Sequence, residues 1–228
     1  MTGPLYLRRL PIGVMQNNVY LVGSRAKRQC LVVDPAWNIA AIVRQAEQDG
    51  MEIVGALATH WHPDHVGGDL FGHDIEGLAK LLERKSVPIH VNRHEQAGIA
   101  QVTGISSKDM VAHDGGDKVE VGDVTIALLH TPGHTPGSQC FLCHGHLLSG
   151  DTLFVRGCGR VDLPGGNAEQ MWKSLNLVLK RLPPETVLHP GHHYGPIDES
   201  TIGEEARENP AMTAPRMEDW LGMMGRGF

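Results

Sequence analysis

Thr59-His60-Trp61-His62-Pro63-Asp64-His65-Val66-Gly67-Gly68 is the stretch that decides how this chain is read. Its imidazoles and carboxylate fall directly after the apolar run Ile53-Val54-Gly55-Ala56-Leu57-Ala58. That run is short, apolar and bounded by Gly50 and the polar cluster, which predicts a buried strand ending where the ligands begin. In an extended segment residues two apart share a face, so His60 and His62 reach one metal ion. Asp64 and His65, past the bend at Pro63, turn towards a second. Imidazole nitrogen and carboxylate oxygen together suit borderline-soft divalent ions.

Upstream, Leu5-Tyr6-Leu7, Val19-Tyr20-Leu21-Val22 and Cys30-Leu31-Val32-Val33 are β-prone runs separated by Pro11-Ile12-Gly13, Asn17-Asn18 and Gly23-Ser24, which predicts an antiparallel meander. Asp34-Pro35-Ala36 ends the third strand. Asn38 then caps a helix with Ile39, Ile42, Val43 and Ala46 on its apolar stripe, stopped by Gly50. Strand, helix and strand make a crossover unit that delivers the metal motif at a strand's carboxyl end. Downstream the pattern predicts a helix from about Ile75 to Lys85, a strand at Pro88-Ile89-His90-Val91 and a helix from Arg93 to Gln101. The polar, Gly-bearing residues 103–117 predict a surface loop, a place for an active-site cover. From Val119 the pattern restarts, with strands Val119 to Val121 and Val124 to Leu129 around Gly122-Asp123. A second hairpin, Gln139 to Cys143 and His146 to Leu148, turns at His144-Gly145. A helix from Ala168 to Leu182 and a strand Thr186 to Leu188 complete a mixed α/β chain.

Lys and Arg total 20 against 26 Asp and Glu, a net charge of −6, which argues against a nucleic-acid partner. No apolar run approaches a membrane span and no signal-like segment opens the chain, so a soluble, cytoplasmic protein with no membrane partner is expected. The 4 cysteines include Cys140-Phe141-Leu142-Cys143, whose redox-motif spacing falls in a strand-like run. Their side chains would point to opposite faces there, as small buried apolar residues.

Further motifs follow in order: Thr131-Pro132-Gly133-His134-Thr135-Pro136-Gly137-Ser138, Ser149-Gly150-Asp151-Thr152-Leu153-Phe154, and Pro190-Gly191-His192. Each lies just past a predicted strand. Together with His-x-His-x-Asp-His they resemble the metallo-β-lactamase-fold superfamily over about residues 14 to 210, and within it the hydroxyacylglutathione hydrolase (glyoxalase II)-like group, with persulfide dioxygenases as near relatives. The resemblance implies an αββα sandwich of two mixed β-sheets flanked by helices. It implies one domain over residues 1–228, built of two pseudo-repeated halves, about 1–117 and 118–228. Residue for residue, it implies one ion on His60, His62 and His134 and another on Asp64, His65 and His192, with Asp151 bridging. Asp64 and Asp151 would be the catalytic carboxylates. The cofactors implied are two divalent ions, zinc before iron or manganese. His192 is preferred to His193 because the family pattern is Pro-Gly-His.

Two such ions hold a hydroxide between them and polarise a carbonyl, which hydrolyses an acyl bond without a Ser or Cys nucleophile. A small-molecule thioester, such as hydroxyacylglutathione, supplies the acyl carbon and a good leaving group. In glyoxalase II the basic residue after Gly-Cys-Gly, here Arg160, helps bind glutathione with a Tyr two positions on. This chain has Asp162 there, and residues 193–228 are too few for the helical domain of the longer enzymes. Arg160 with Asp162 reads equally well as a structural ion pair. The alternative function is a mononuclear iron persulfide dioxygenase using His60, His134 and Asp151. Lactone or β-lactam hydrolysis is chemically compatible. A metal-stabilised binding module would favour closed, Cys-rich sites, unlike this His/Asp set. The remaining histidines, His73, His90, His94, His113, His130, His144, His146, His189 and His193, read as surface or locally hydrogen-bonded side chains.

Overall fold

The computed structural model describes residues 5–195, 197 and 199–224. Strands β1 (Leu5–Ile12), β2 (Asn17–Ser24) and β3 (Gln29–Val33) form the expected antiparallel meander. β1 continues through Pro11, read above as punctuation, because β1 is the sheet edge, where a missing N–H leaves no ladder bond unmade. Helix α1 (Ile39–Gln48) starts at Asn38, whose side chain accepts from the Ala41 amide, and crosses to β4 (Glu52–Leu57), parallel to β3. A single turn α2 (Pro63–Val66) and a hairpin of β5 (Gly68–Leu70) and β6 (His73–Ile75) follow. Then come α3 (Leu78–Arg84), β7 (Ile89–Asn92), α4 (Gln96–Thr103) and β8 (Met110–His113). The first sheet is six-stranded, in the order β1-β2-β3-β4-β7-β8.

The second sheet is built from β9 (Lys118–Val121), β10 (Val124–His130), β11 (Gln139–Cys143) and β12 (His146–Gly150). After a small hairpin of β13 (Leu153–Phe154) and β14 (Gly157–Cys158) and helix α5 (Ala168–Lys173), it is completed by β15 (Val187–Pro190) and β16 (Ser200–Thr201). Its order is β16-β15-β12-β11-β10-β9. Helices α6 (Ile202–Glu208), α7 (Pro210–Thr213) and α8 (Met217–Met224) close the described chain.

Alternation along the strands sorts the apolar residues into three layers. Tyr20, Val22, Leu31, Val33 and Leu57 meet Val121, Ile126, Leu128 and Phe141 between the sheets. Val19, Leu21, Val32 and Ala56 face Ile39 and Ile42 of α1, Leu78 and Leu81 of α3, and Ile99 of α4. Beyond the second sheet, Leu147 and Leu188 pack on Met171, Leu175, Ile202, Met212 and Trp220. Each fully buried Leu or Ile contributes about 1.5–3 kcal/mol, so this division fixes both strand register and layer order. The result is two mixed sheets flanked by helices. Cys140 lies in the outer layer and Cys143 in the inter-sheet layer, on opposite faces as expected, and all four cysteines are free thiols.

Several expectations need correction. Residues 103–117 are not one loop: a 3₁₀ turn at Ser107–Asp109 leads into β8, parallel to β7. As an edge strand with only Met110 buried, β8 carries almost no apolar signature. Ile75 ends β6 rather than opening a helix, and α3 and α4 each begin three residues later than read. The helix expected to Leu182 gives way after Lys173 to a π-type turn (Ser174–Val178) and a 3₁₀ turn (Leu179–Arg181), where the Ser174 hydroxyl donates to the Pro132 carbonyl at 2.7 Å. Among the described residues no helix is long and apolar enough to cross a membrane.

Candidate metal centre

The topology gathers the ligands. β3 and β4 are parallel, so Asp34 and Thr59-His60 leave the first sheet side by side. β12 and β15 are parallel, so Asp151 and His192 do the same in the second. β10 points the same way as β12, two antiparallel steps across, and releases the loop carrying His134. Gln139 joins the two sheets here, its amide N–H bonding the Thr59 carbonyl and its side chain the Ala58 carbonyl. The closeness of the loops explains one glycine: a Cβ on Gly191 would lie 2.6 Å from Asp151 Oδ1.

Three groups of donor atoms result among the described residues; one of them, Asp34 with His60 and His65, is joined through Thr59 and the outward Nδ1 atoms, and the other two face inward. Of these two, His60, His62 and His134 form the first and Asp64, His65 and His192 the second, with the donors of each group within 4.8 Å of one another. In the first, His62 Nδ1 and His134 Nε2 lie 2.9 Å apart. In the second, His65 Nε2 lies 3.1 Å from His192 Nε2 and 3.4 Å from Asp64 Oδ2, and His192 Nε2 is 3.3 Å from that oxygen. Donors bound tetrahedrally at about 2.0–2.1 Å stand about 3.4 Å apart, so these spacings suit one small ion per group. Asp151 touches both groups, with Oδ1 3.3 Å from His65 Nε2 and Oδ2 3.6 Å from His134 Nε2 and 3.5 Å from His192 Nε2.

The outward ring nitrogens are tied back. His134 Nδ1 donates to the Arg160 carbonyl at 2.7 Å, His192 Nδ1 to the Met15 carbonyl at 2.8 Å and His65 Nδ1 to Asp34 Oδ2 at 3.0 Å. The Thr59 hydroxyl donates to Asp34 Oδ2 at 2.6 Å and so accepts from His60 Nδ1 at 3.0 Å. Each of these rings therefore turns its Nε2, rather than its Nδ1, inward. His60 Nε2 and Asp151 Oδ1 are buried with no hydrogen-bond partner. Orphaned buried acceptors are rare and costly, and here His60 belongs to the first donor group while Asp151 Oδ1 lies 3.3 Å from His65 Nε2 of the second, so the residues present fit bound cations.

Charge follows the same pattern. Burial, then the neighbouring imidazoles, pushes His60 well below its ordinary range and His62 to about 4. Burial opposes charge at His65 and His192 too, but the facing carboxylates outweigh it and raise them to about 9 and about 10. Asp151, although desolvation opposes its charge, is drawn down to about 2 by His65 and His192, and Asp64 lies well below the carboxylate range through His65, His192 and Asn17. Burial pushes Cys158 up to about 12, which keeps it a thiol and removes it as a nucleophile.

The family model of the Metallo-beta-lactamase superfamily matches residues 12–192, which include every donor residue named above. The chain belongs to the metallo-β-lactamase superfamily. Over 225 residues it is 30% identical to the mitochondrial persulfide dioxygenase ETHE1 of Homo sapiens, covering 97% of this chain and 81% of that one. The crystal structure of ETHE1 from Myxococcus xanthus superposes with a TM-score of 0.82 at 30% identity, covering 96% of this chain and 90% of that one. TTHA1623, solved in a di-iron-bound form, matches with a TM-score of 0.71 at 31% identity, covering 89% and 98%. The protein is thus a metallo-β-lactamase superfamily enzyme with hydrolase or dioxygenase chemistry, and its His/Asp cluster fits a divalent metal site.

Arg160 is the one predicted site residue whose side chain stays outside the cluster. Its guanidinium is 68% exposed and forms a two-pronged ion pair with Asp162, at 2.9 and 2.8 Å. Its backbone carbonyl, not its charge, reaches the centre through His134. His193 bonds through its amide to the Gln16 carbonyl, and His192 is the histidine among the donors. His90 pairs with His113, and His146 with His189, each at 2.9 Å, as local contacts.

Sequence reasoning missed the residues that orient the ligands. Asp34 also accepts from the Thr59 amide at 2.7 Å, so its oxygens serve outward ring nitrogens and the loop rather than the ion position. It holds φ 52°, a left-handed conformation that Asp tolerates better than most residues. Asn17 donates to Asp64 Oδ2 and to the Asp64 carbonyl, both at 3.0 Å, and accepts from the Trp37 indole at 2.9 Å. Asp34 had a signal, since it too follows a strand; Asn17, which reads as turn punctuation and is the first residue of β2, had none.

Proposed function

We infer that this protein is a two-metal hydrolase of small-molecule thioesters. The observation that carries the reading is Asp151 lying against two complete donor groups. His60, His62 and His134 would hold one ion, Asp64, His65 and His192 the other, and Asp151 would join them. Two zinc ions are the occupants proposed. Once bound, they supply Lewis acidity and a nucleophilic hydroxide at neutral pH.

The chain's own residues determine the rest. Imidazoles hold Asp64 and Asp151 ionised, so these catalytic carboxylates contribute charge and position rather than accepting protons. Asp34, Thr59, Arg160 and Met15 fix the ring tautomers, so the inward nitrogens are aimed before substrate arrives. Tyr194 stacks on His192 at 4.6 Å and is 54% exposed. A thiol ionises near 8.5, so a thiolate departs without a strong general acid, whereas an amide nitrogen would need one. That favours an acyl-thiol over a β-lactam. Arg160, at the rim beside His134, is proposed to meet an anionic thiol carrier such as glutathione after parting from Asp162.

The second reading, an iron persulfide dioxygenase using His60, His134 and Asp151, is favoured by the identity with human ETHE1 along nearly the whole chain. The test is thiol release from S-D-lactoylglutathione and other acyl-thiols, in air and under argon. The thioesterase predicts equal rates in both. Oxygen uptake on glutathione persulfide, with no acyl-thiol cleaved, overturns it.

A further inference from the structure

Helix α4 is preceded by a carboxylate that bonds both arms of the His60/His62/His134 group while bonding none of the three rings. Glu95 is completely enclosed, at 0% exposure. Its Oε2 accepts from the Trp61 amide at 2.7 Å, and its Oε1 accepts from the Thr135 hydroxyl at 2.9 Å and the Gly137 amide at 2.7 Å. Trp61 is the residue between His60 and His62, and Thr135 directly follows His134. One side chain from a third element therefore sets the distance between two loops that the chain separates widely. The fit is close: a Cβ on Gly137 would lie 2.7 Å from Glu95 Cγ, and one on Gly98 would lie 2.8 Å from the Trp61 ring.

All three donors are neutral, and a buried carboxylate without a cation is costly even when hydrogen-bonded. A divalent ion on the adjacent group would offset that cost, because the His60, His62 and His134 rings bring no negative charge of their own. We propose that Glu95 is a positioning residue for the first ion: it clamps the His60/His62 loop against the His134 loop. It acts through the loop backbones and touches neither substrate nor metal. This rests on reading His60, His62 and His134 as a metal position.

Glu95→Gln tests it, since the amide keeps the size but sets an N–H against one of the two loops. Zinc affinity is measured by chelator competition in two backgrounds: His192→Ala, which keeps the first group intact, and His62→Ala, which keeps the second. Glu95→Gln is expected to weaken zinc about 10 to 100-fold in the first background. It should leave the second within about twofold, and shift the cobalt(II) absorption spectrum in the first only. Unchanged affinity in the first background, or an equal loss in both, overturns the proposal. Where circular dichroism shows Glu95→Gln unfolded, Thr135→Val, which removes one donor and keeps the shape, is judged by the same site-selective criterion. If the His192→Ala parent binds no zinc, the metal reading fails before Glu95 is altered, and the proposal fails with it.

Discussion

Asp34→Asn isolates the role of ring orientation. Asp34 Oδ1 accepts from the Thr59 amide, and Oδ2 accepts from both the Thr59 hydroxyl and His65 Nδ1. In the Asn variant the amide oxygen must keep the Thr59 N–H, which leaves the NH₂ facing His65 Nδ1. A donor there forces the imidazole proton onto Nε2, the atom 3.1 Å from His192 Nε2 and 3.4 Å from Asp64 Oδ2. Nε2 then cannot bind an ion. If the Thr59 hydroxyl reverses as well, His60 suffers the same change. The bond lost joins a carboxylate to an imidazole, both almost fully buried, and is worth about 1.5–3 kcal/mol. At about 1.4 kcal/mol per decade that is a loss of about 10 to 100-fold in metal affinity, centred on the Asp64/His65/His192 position. Competition titration with a zinc chelator measures it, with circular dichroism confirming the fold. Two ions bound with wild-type affinities would show that Asp34 does not set the orientation of these rings.

Ligand substitutions separate the two mechanisms. His62→Ala and Asp64→Asn should each lower thioesterase turnover by orders of magnitude, whereas an enzyme using only His60, His134 and Asp151 should lose about 10 to 100-fold; His60→Ala, inactive either way, is the control in the same assay. Metal uptake should depend on pH at one position only. His65 and His192, raised to about 9 and about 10, carry protons at pH 7 that the second ion must displace, so its affinity rises with pH from about 6 to 9. His62, lowered to about 4, is already neutral, and calorimetry in buffers of different ionisation enthalpy should find proton release in the second binding step. Arg156→Ala should leave the Glu205 carboxylate, at 0% exposure, without its cation. A cost of about 3–5 kcal/mol follows, seen as a fall of about 6–15 °C in melting temperature; a change below about 2 °C would mean that the other Glu205 bonds suffice.

The candidate metal donors could be read from the sequence because their type, spacing and place after apolar runs are local properties. His60 to His65 follow β4, Asp151 follows β12 and His192 follows β15, and an apolar run announces each strand. Residues that act across the fold leave no such trace. Glu95 reads as an ordinary polar residue of a helix start until Trp61 and Gly137 are brought to it. Asp34 matters because β3 and β4 are parallel, a fact of pairing rather than composition. Edge strand β8 was hidden by its exposure, and the helix after Ala168 was overestimated because Ser174 bonds Pro132 where apolar spacing alone predicts a regular continuation. The Arg160–Asp162 pair was anticipated as one of two readings, and its geometry leaves the carbonyl of Arg160, invisible in a list of side chains, as the group that reaches His134.

Asp151 is proposed to join two ion positions. The most direct test of this is metal stoichiometry, by inductively coupled plasma mass spectrometry on protein purified without added metal and then titrated with zinc. Two ions per chain are predicted, with Asp151→Asn holding fewer. A single tightly held iron per chain, with no second equivalent bound on titration, would contradict it.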